Sequence, residues 1–300
     1  MPEVVWLNGR MTTRTEARVS AFDASVQHGV GLFETMTATQ GRVFRMESHL
    51  ARLARSAGDL GLSASIKAAA LGEIVQSCVE ASELAEGEAR ARVRLTLTGG
   101  DLNLLAVRRN EPTDPTLMIA VTPGTAYPPE MFDRGVGVLV PEARASRHDS
   151  HAGHKTLNYW WRLNALQQAS HAGMGECLIL TDTNHVCGGA VSNLFIVKDG
   201  TLGTPVARGE EGEGQPRSPV LPGVTRDAVR EFAAGLRIGC DTRLLDIASV
   251  LDADEVFLTN SSWGVLPVVR VEGRVIGSGE PGEVTRRVRR AWLEALRDEP

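Results

Sequence analysis

GHKTLNYWW, residues 153–161, contains Lys155, one of only three lysines in a chain of 300 residues. The other two are Lys67 and Lys198, and arginine carries nearly all the remaining positive charge. Lysine differs from arginine in being able to shed its proton and attack a carbonyl, because its pKa falls readily on burial. Set among glycine, histidine, asparagine and aromatic residues, Lys155 reads either as an imine-forming amine or as a solvated residue at a helix start.

Two other stretches shift that balance, because both suit an anion. LPGVTRD (221–227) places Gly223, Val224 and Thr225 at a predicted helix N-terminus. There, unpaired amides and the helix dipole favour a phosphate. LTNSSWG (258–264) sets small hydroxyl residues after a buried strand, where a phosphate-holding turn belongs. A reactive lysine with two anion sites fits a phosphorylated aldehyde cofactor, pyridoxal 5'-phosphate.

The surrounding chain mixes strands and helices without internal repeats. VVWLNGRM (4–11) predicts a hairpin turning at Asn-Gly, and GRVFRM (41–46) a short strand. ESHLARLARSAGDLGL (47–62) and SIKAAALGEIVQSCVEASEL (65–84) predict helices. ARVRLTLTGG (91–100) and TLMIAVTP (116–123) predict strands, the first with one polar face. PGTAYPPEMFDRG (123–135), with three prolines and two glycines, is the best linker candidate.

Beyond it, VGVLVPEARA (136–145) restarts a strand. Residues 156–172 predict a helix with Leu157, Trp161, Ala165, Ala169 and Ala172 along one side. ECLILTD (176–182) and AVSNLFIVKDG (190–200) predict strands paired about Thr183–His185. ARGEEGEGQPRSP (207–219) predicts a mobile surface loop. A helix over 222–236, a buried strand over 254–260, a hairpin over 268–276 and a basic-faced helix over 283–296 complete the series. The fold class is therefore α/β (α+β). It divides into a small N-terminal α/β domain (1–121), a linker (122–134) and a larger cofactor-binding domain (135–300).

A net charge of -5 argues against nucleic acid or an anionic membrane as the main partner. No run of about 18 apolar residues occurs, and MPEVVWLNGRM has neither a basic nor an apolar leader region, so a cytoplasmic location is expected. Cys78, Cys177, Cys187 and Cys240 form no CxxC pair and read as reduced packing residues.

Six stretches in order carry a family resemblance: DASVQHGVGLFETM (23–36), HLARLARSA (49–57), GHKTLNYWWRLNALQQA (153–169), VSNLFIVKDGTLGTP (191–205), LPGVTRDAV (221–229) and ADEVFLTNSSWGVLPV (253–268). They span nearly the whole chain, which resembles the fold-type IV pyridoxal-phosphate enzymes. These include branched-chain and D-amino-acid aminotransferases, (R)-selective amine transaminases and aminodeoxychorismate lyases. The resemblance implies a two-domain enzyme with a β-barrel-like C-terminal domain, and a homodimer that uses an amino donor and a 2-oxo acid. It implies that Lys155 is the Schiff-base lysine and also the base that moves the 1,3-proton. Arg52 matches the arginine that grips the cofactor phosphate, Val224 and Thr225 the amides at that phosphate, and Ser261 a hydroxyl of the same cup. Tyr159 lies near a tyrosine that meets the cofactor's phenolic oxygen, although it reads equally as a core aromatic. The amides at Ser261 and Ser262 lie where some members hold a substrate carboxylate, and Phe33 and Trp263 match pocket-lining positions.

Two departures bear on the chemistry. In HVCGGAVSNLF (185–195), Gly188 occupies the position of the glutamate that pairs with the pyridine nitrogen. A carboxylate there keeps that nitrogen protonated and strengthens the electron sink, so slower or unusual chemistry is expected. Thr98 stands in LTG where the D-amino-acid enzymes carry a carboxylate-binding arginine. Arg94 or Arg144 could take over that task, and each also reads as a structural surface residue. His148, His151 and His154 could suggest a metal, but they read better as edging the mouth of the site, and no metal is expected. The first reading is an aminotransferase. The alternatives are an aminodeoxychorismate lyase-type reaction and a non-catalytic cofactor-binding protein.

Overall fold

The computed structural model describes residues 3–63, 66–101 and 115–298. Ser65, the predicted start of the second helix, lies outside them. The chain forms two compact units. The first comprises Met1–Thr125, His154–Asn158 and Arg297–Pro300, and the second Ala126–Gly153 and Tyr159–Leu296.

The first unit runs β1 (Val4–Leu7), β2 (Arg10–Thr12), α1 (Ala24–His28), β3 (Gly31–Thr39), β4 (Arg42–Val43), α2 (Met46–Asp59), α3 (Ala68–Ser82), β5 (Arg90–Thr98) and β6 (Leu117–Pro123). The strands form a six-stranded sheet in the order β2-β1-β6-β5-β3-β4, antiparallel at each pairing. Asn8 and Gly9, at φ 44° and 96°, make the tight turn between β1 and β2. Alternation on β3 sends Leu32, Met36 and Ala38 into a core with Leu50, Leu53 and Ala57 of α2 and Val75, Cys78 and Val79 of α3. Glu34 falls in that same core-facing series. The strand expected over 41–46 is cut short after Val43, because Arg45 takes a left-handed φ of 53° and leads directly into α2.

The second unit runs α4 (Glu130–Asp133), β7 (Val136–Leu139), β8 (Arg144–Ala145), α5 (Trp160–His171), β9 (Glu176–Thr181), β10 (Val186–Gly189), β11 (Asn193–Lys198), β12 (Thr201–Thr204), α6 (Val224–Gly235), β13 (Cys240–Thr242), α7 (Ile247–Leu251), β14 (Glu255–Asn260), β15 (Gly264–Val271), β16 (Arg274–Val275) and α8 (Glu283–Asp298). Ten strands make a mixed, curled half-barrel sheet, with β10-β9-β7-β15-β14-β11-β12-β13 as its main path. Leu178, Leu180, Leu194, Ile196, Val256, Leu258, Leu266 and Val268 fill one core, while Cys177, Ile179, Cys187 and Ala190 pack with Ala165 and Ala169 of α5 in another. Burial raises the Cys78 and Cys177 thiols to about 12, so both behave as packing groups.

Two expectations are corrected here. The helix predicted from residue 156 begins only at Trp160, because Thr156 bridges Leu32 at the end of β3. Pairing with a strand overrides the weaker local preference for helix. The loop over 207–219 is anchored rather than loose: Glu210 pairs with Arg226 at 2.7 Å and Arg230 at 2.8 Å. Among the described residues, no helix is long and apolar enough to cross a membrane.

Candidate active site

Lys155 owes its position to main-chain bonds. The Phe33 amide donates to the Lys155 carbonyl at 2.9 Å, and the Leu157 amide to the Gly31 carbonyl at 2.9 Å. Residues 155–157 thus extend the sheet beside β3. Gly31 permits this approach, since at φ 157° its added Cβ would lie 2.6 Å from both Leu157 Cδ1 and the Leu97 carbonyl. The Lys155 Nζ stands 4.5 Å from the centroid of the Phe33 ring, and the Arg94 guanidinium carbon 3.4 Å from the same centroid. Arg94 also reaches Thr35 Oγ1 at 3.4 Å, consistent with the register that pairs Thr35 with Arg94. One aromatic ring therefore carries two cationic side chains.

On the opposite face of β3, Glu34 is buried against α2. Its carboxylate accepts from Arg52 Nε at 2.9 Å and Nη2 at 2.6 Å, and meets His49 Nδ1 at 2.7 Å. Burial alone would raise the Glu34 pKa, but the Arg52 charge and the bonds from His49 and Arg52 take it down to about 2. Burial pushes the His49 pKa down despite that carboxylate, and the Arg52 and Lys155 charges push the same way. Arg52 is thereby held as an oriented fork, 7% exposed. Glu34 was not singled out from the sequence, although a carboxylate in a core-facing strand series requires a buried partner.

In the second unit, the start of α6 has no side-chain cap. Gly223 caps it without a side chain, and an added Cβ there would run into Asn193 Oδ1. Val224 and Thr225 are buried at the first turn, where amides lack intrahelical acceptors. Thr259 pairs across the sheet with Asn193, and its Oγ1 is buried with no hydrogen-bond partner among the described residues. Ser261 follows β14 in the next turn. Asn260 Oδ1 accepts from the Ser262 amide at 2.9 Å and the Trp263 amide at 3.0 Å, so the Ser262 amide is already engaged. Trp263 is a core residue, 6% exposed, edge-on to Tyr127 at 5.7 Å.

Gly188 sits in a backbone conformation that residues with side chains rarely adopt. Its φ is 131°, and an added Cβ would lie 2.7 Å from the Ser192 carbonyl oxygen. Below the same turn lies Glu176, wholly buried, another residue the sequence reading passed over. It accepts from the amides of Cys177, Ala190 and Val191 and from Ser192 Oγ at 2.9–3.2 Å. Burial raises its pKa against those four donors. Tyr159 caps α5, its ring 5.8 Å from the Arg162 guanidinium, which in turn donates to the Gly189 and Ala190 carbonyls at 3.3 Å. Tyr159 is thus linked to the glycine turn.

The two residues considered for a substrate carboxylate besides Arg94 have other attachments. Thr98 is 3% exposed, its hydroxyl donating to Asp23 Oδ2 at 2.7 Å and accepting from the Gly100 and Thr116 amides at 3.1 Å. Arg144 Nη1 donates to the carbonyls of Pro141, Glu142 and Ala143 in its own loop. Both are placed as structural groups. His154 Nδ1 meets Ser56 Oγ at 3.0 Å and His151 Nδ1 meets Asp149 at 3.1 Å. Among the described residues, no group of three or more His, Cys, Asp or Glu is arranged to hold a metal.

In the first unit an amine and an oriented guanidinium, and in the second a helix start without a side-chain cap and a buried hydroxyl with no partner among the described residues, are donor types that suit pyridoxal 5'-phosphate. Residues 31–271 match the family model "Amino-transferase class IV". A putative branched-chain-amino-acid aminotransferase of Methanocaldococcus jannaschii is 30% identical, covering 97% of this chain and 95% of that protein. The branched-chain amino acid aminotransferase of Escherichia coli superposes with a TM-score of 0.87 at 28% identity, covering 99% of this chain and 95% of the other. A 4-amino-4-deoxychorismate lyase from Pseudomonas aeruginosa superposes at 0.79 with 29% identity, covering 98% of each chain. With sequence, fold and donor set in agreement, the chain belongs to the class IV aminotransferases, enzymes of fold type IV that use pyridoxal 5'-phosphate.

Proposed function

We propose that the protein transfers an amino group between an amino acid or primary amine and a 2-oxo acid, with Lys155 as its working amine. When bound, the cofactor supplies an aldehyde that captures amines and a ring that accepts electron density from the substrate Cα. Lys155 would hold that cofactor through its amine and would serve as the base for the substrate Cα proton. Arg52, kept in place by Glu34, would offer the phosphate a charged donor, and the Val224 and Thr225 amides and Ser261 would offer it neutral ones. Tyr159 would support the cofactor's phenolic edge. Arg94, stacked on Phe33 close to Lys155, is the group best suited to a substrate carboxylate. The observation that carries this reading is the lock of the Lys155 main chain onto β3, which fixes its amine beside Phe33 and Arg94.

The test is spectroscopic. Protein saturated with pyridoxal phosphate should absorb in the visible, and borohydride should bleach it and leave the adduct on Lys155 by peptide mapping. Adding D-alanine, L-leucine or (R)-1-phenylethylamine should then shift the unreduced band to that of pyridoxamine. A colourless protein, or an adduct elsewhere, would overturn the reading. Gly188 favours a lyase of the aminodeoxychorismate type as the second reading, since elimination makes no second call on a strong electron sink. An absent amine response with release of pyruvate from aminodeoxychorismate would select it, and neither response would leave a cofactor-binding protein. Phe22 at 69% and Val26 at 60% exposure in one unit, and Trp160 at 79% in the other, support a homodimer, which light scattering tests.

A further inference from the structure

The loop over 207–219 makes two attachments that the site described above does not use. At one end, Glu210 accepts from Arg226 Nη1 at 2.8 Å and Nη2 at 2.7 Å, from Arg230 at 2.8 Å and from the Ala207 amide at 2.9 Å. Arg226 directly follows Thr225 in the first turn of α6, and its side chain is wholly buried. A guanidinium so placed needs a counter-charge; Glu210 supplies the closer one from the loop, with Asp227 Oδ1 at 3.3 Å, so the loop cannot swing away without weakening the pairing of a buried cation. Glu211 braces the middle by accepting from the Gly209 amide at 2.8 Å and the Ser218 amide at 2.6 Å. Two residues before Glu210, at the same end of the loop, Arg208 Nη1 donates to the Ala152 carbonyl at 3.0 Å. Gly153 lies directly beneath: an added Cβ would be 2.8 Å from the Ser218 carbonyl and 2.9 Å from Arg208 Cβ. Lys155 follows two residues later.

We infer that this loop is a clasp joining the first turn of α6 to the segment that delivers Lys155, with Arg208 and Glu210 as positioning residues. The side chain of one first-turn residue, Arg226, sets the loop, and the loop sets Ala152. Ala152 stands three residues before Lys155, so the clasp is coupled along the chain to the delivery of that lysine. The inference rests on the proposed cofactor role of Lys155 and α6 for its consequence, but the clasp itself is testable without cofactor.

Arg208→Ala removes the bond to Ala152 and leaves the Glu210–Arg226 pair intact. In apo-protein, amide hydrogen exchange over 149–157 should quicken roughly fivefold to tenfold, the effect of one lost hydrogen bond, with exchange in α6 and the melting temperature little changed. In protein loaded with pyridoxal phosphate, cofactor release into a trapping apo-enzyme should quicken several-fold. Arg208→Lys, which restores one donor to a carbonyl, should recover most of both effects. Unchanged exchange over 149–157 would overturn the clasp, as would a rise spread over the whole chain with a lower melting temperature. Faster exchange with unchanged cofactor release would overturn the coupling. Protein that binds no cofactor would sink the functional reading while the exchange result still decided the clasp.

Discussion

Replacing Lys155 by alanine is expected to lower kcat by at least about a thousandfold, because in the proposed function the same amine would hold the cofactor and move the Cα proton. The fold should survive, since β3 pairs with the main chain of residues 155–157 and not with the lysine side chain. Lys155→Arg should be as inactive as the alanine variant. It keeps the positive charge over Phe33, but a guanidinium holds its proton and forms no imine. That comparison separates chemistry from electrostatics: were the charge beside Phe33 and Arg94 the contribution that matters, arginine would restore activity and alanine would not. Circular dichroism melts of both variants establish that they are folded. A small primary amine added to Lys155→Ala should return a measurable fraction of the proton transfer. An alanine variant retaining a tenth or more of wild-type turnover would exclude Lys155 as the base.

Lys155 drew attention in the sequence through economy of type: three lysines in a chain rich in arginine make a lysine among glycine, histidine and aromatic residues conspicuous. The helix start at Val224 was legible for a similar reason, because Pro-Gly before an apolar-periodic run is a local signal. Non-local facts were not. The helix expected from residue 156 begins at Trp160 because its first residues pair with a strand about 120 residues earlier, and periodicity carries no record of such a partner. Thr98 looked like a substituted substrate contact, yet its hydroxyl belongs to Asp23, 75 positions away. The charge-rich loop over 207–219 looked mobile by composition, while its Glu210 answers a guanidinium that burial makes demanding. Glu34 and Glu176 did leave a signal. Each interrupts or opens a run of buried strand residues, and a carboxylate in such a run must be met by donors.

Glu34 also leads to the largest expected effect on stability. Glu34→Gln preserves shape but leaves Arg52 and His49, 7% and 1% exposed, without their carboxylate. Removing one partner of a buried ion pair costs about 3–5 kcal/mol, measurable by urea denaturation at pH 7. The wild-type protein should show the same interaction through acid. Glu34 has its folded-state pKa lowered from 4.5 to about 2, so its stabilisation is complete above pH 4.5 and is lost as pH falls from there towards 2. At ~1.4 kcal/mol for each tenfold change in proton affinity, that loss amounts to roughly 3 kcal/mol. His49, whose folded-state pKa is lowered, adds a separate loss that begins as pH falls below 6.5, where the unfolded chain takes up a proton first. The difference between wild type and Glu34→Gln carries the glutamate together with its hold on His49, and it should shrink as pH falls below 4.5. A difference unchanged at pH 3 would show that Glu34 is held by shape and not by charge. Because Glu34 also orients the Arg52 fork, the variant should bind pyridoxal phosphate more weakly under conditions where it is still folded, and pyridoxal without its phosphate should bind both proteins alike. Arg52 would then owe its grip on the phosphate to the carboxylate buried behind it.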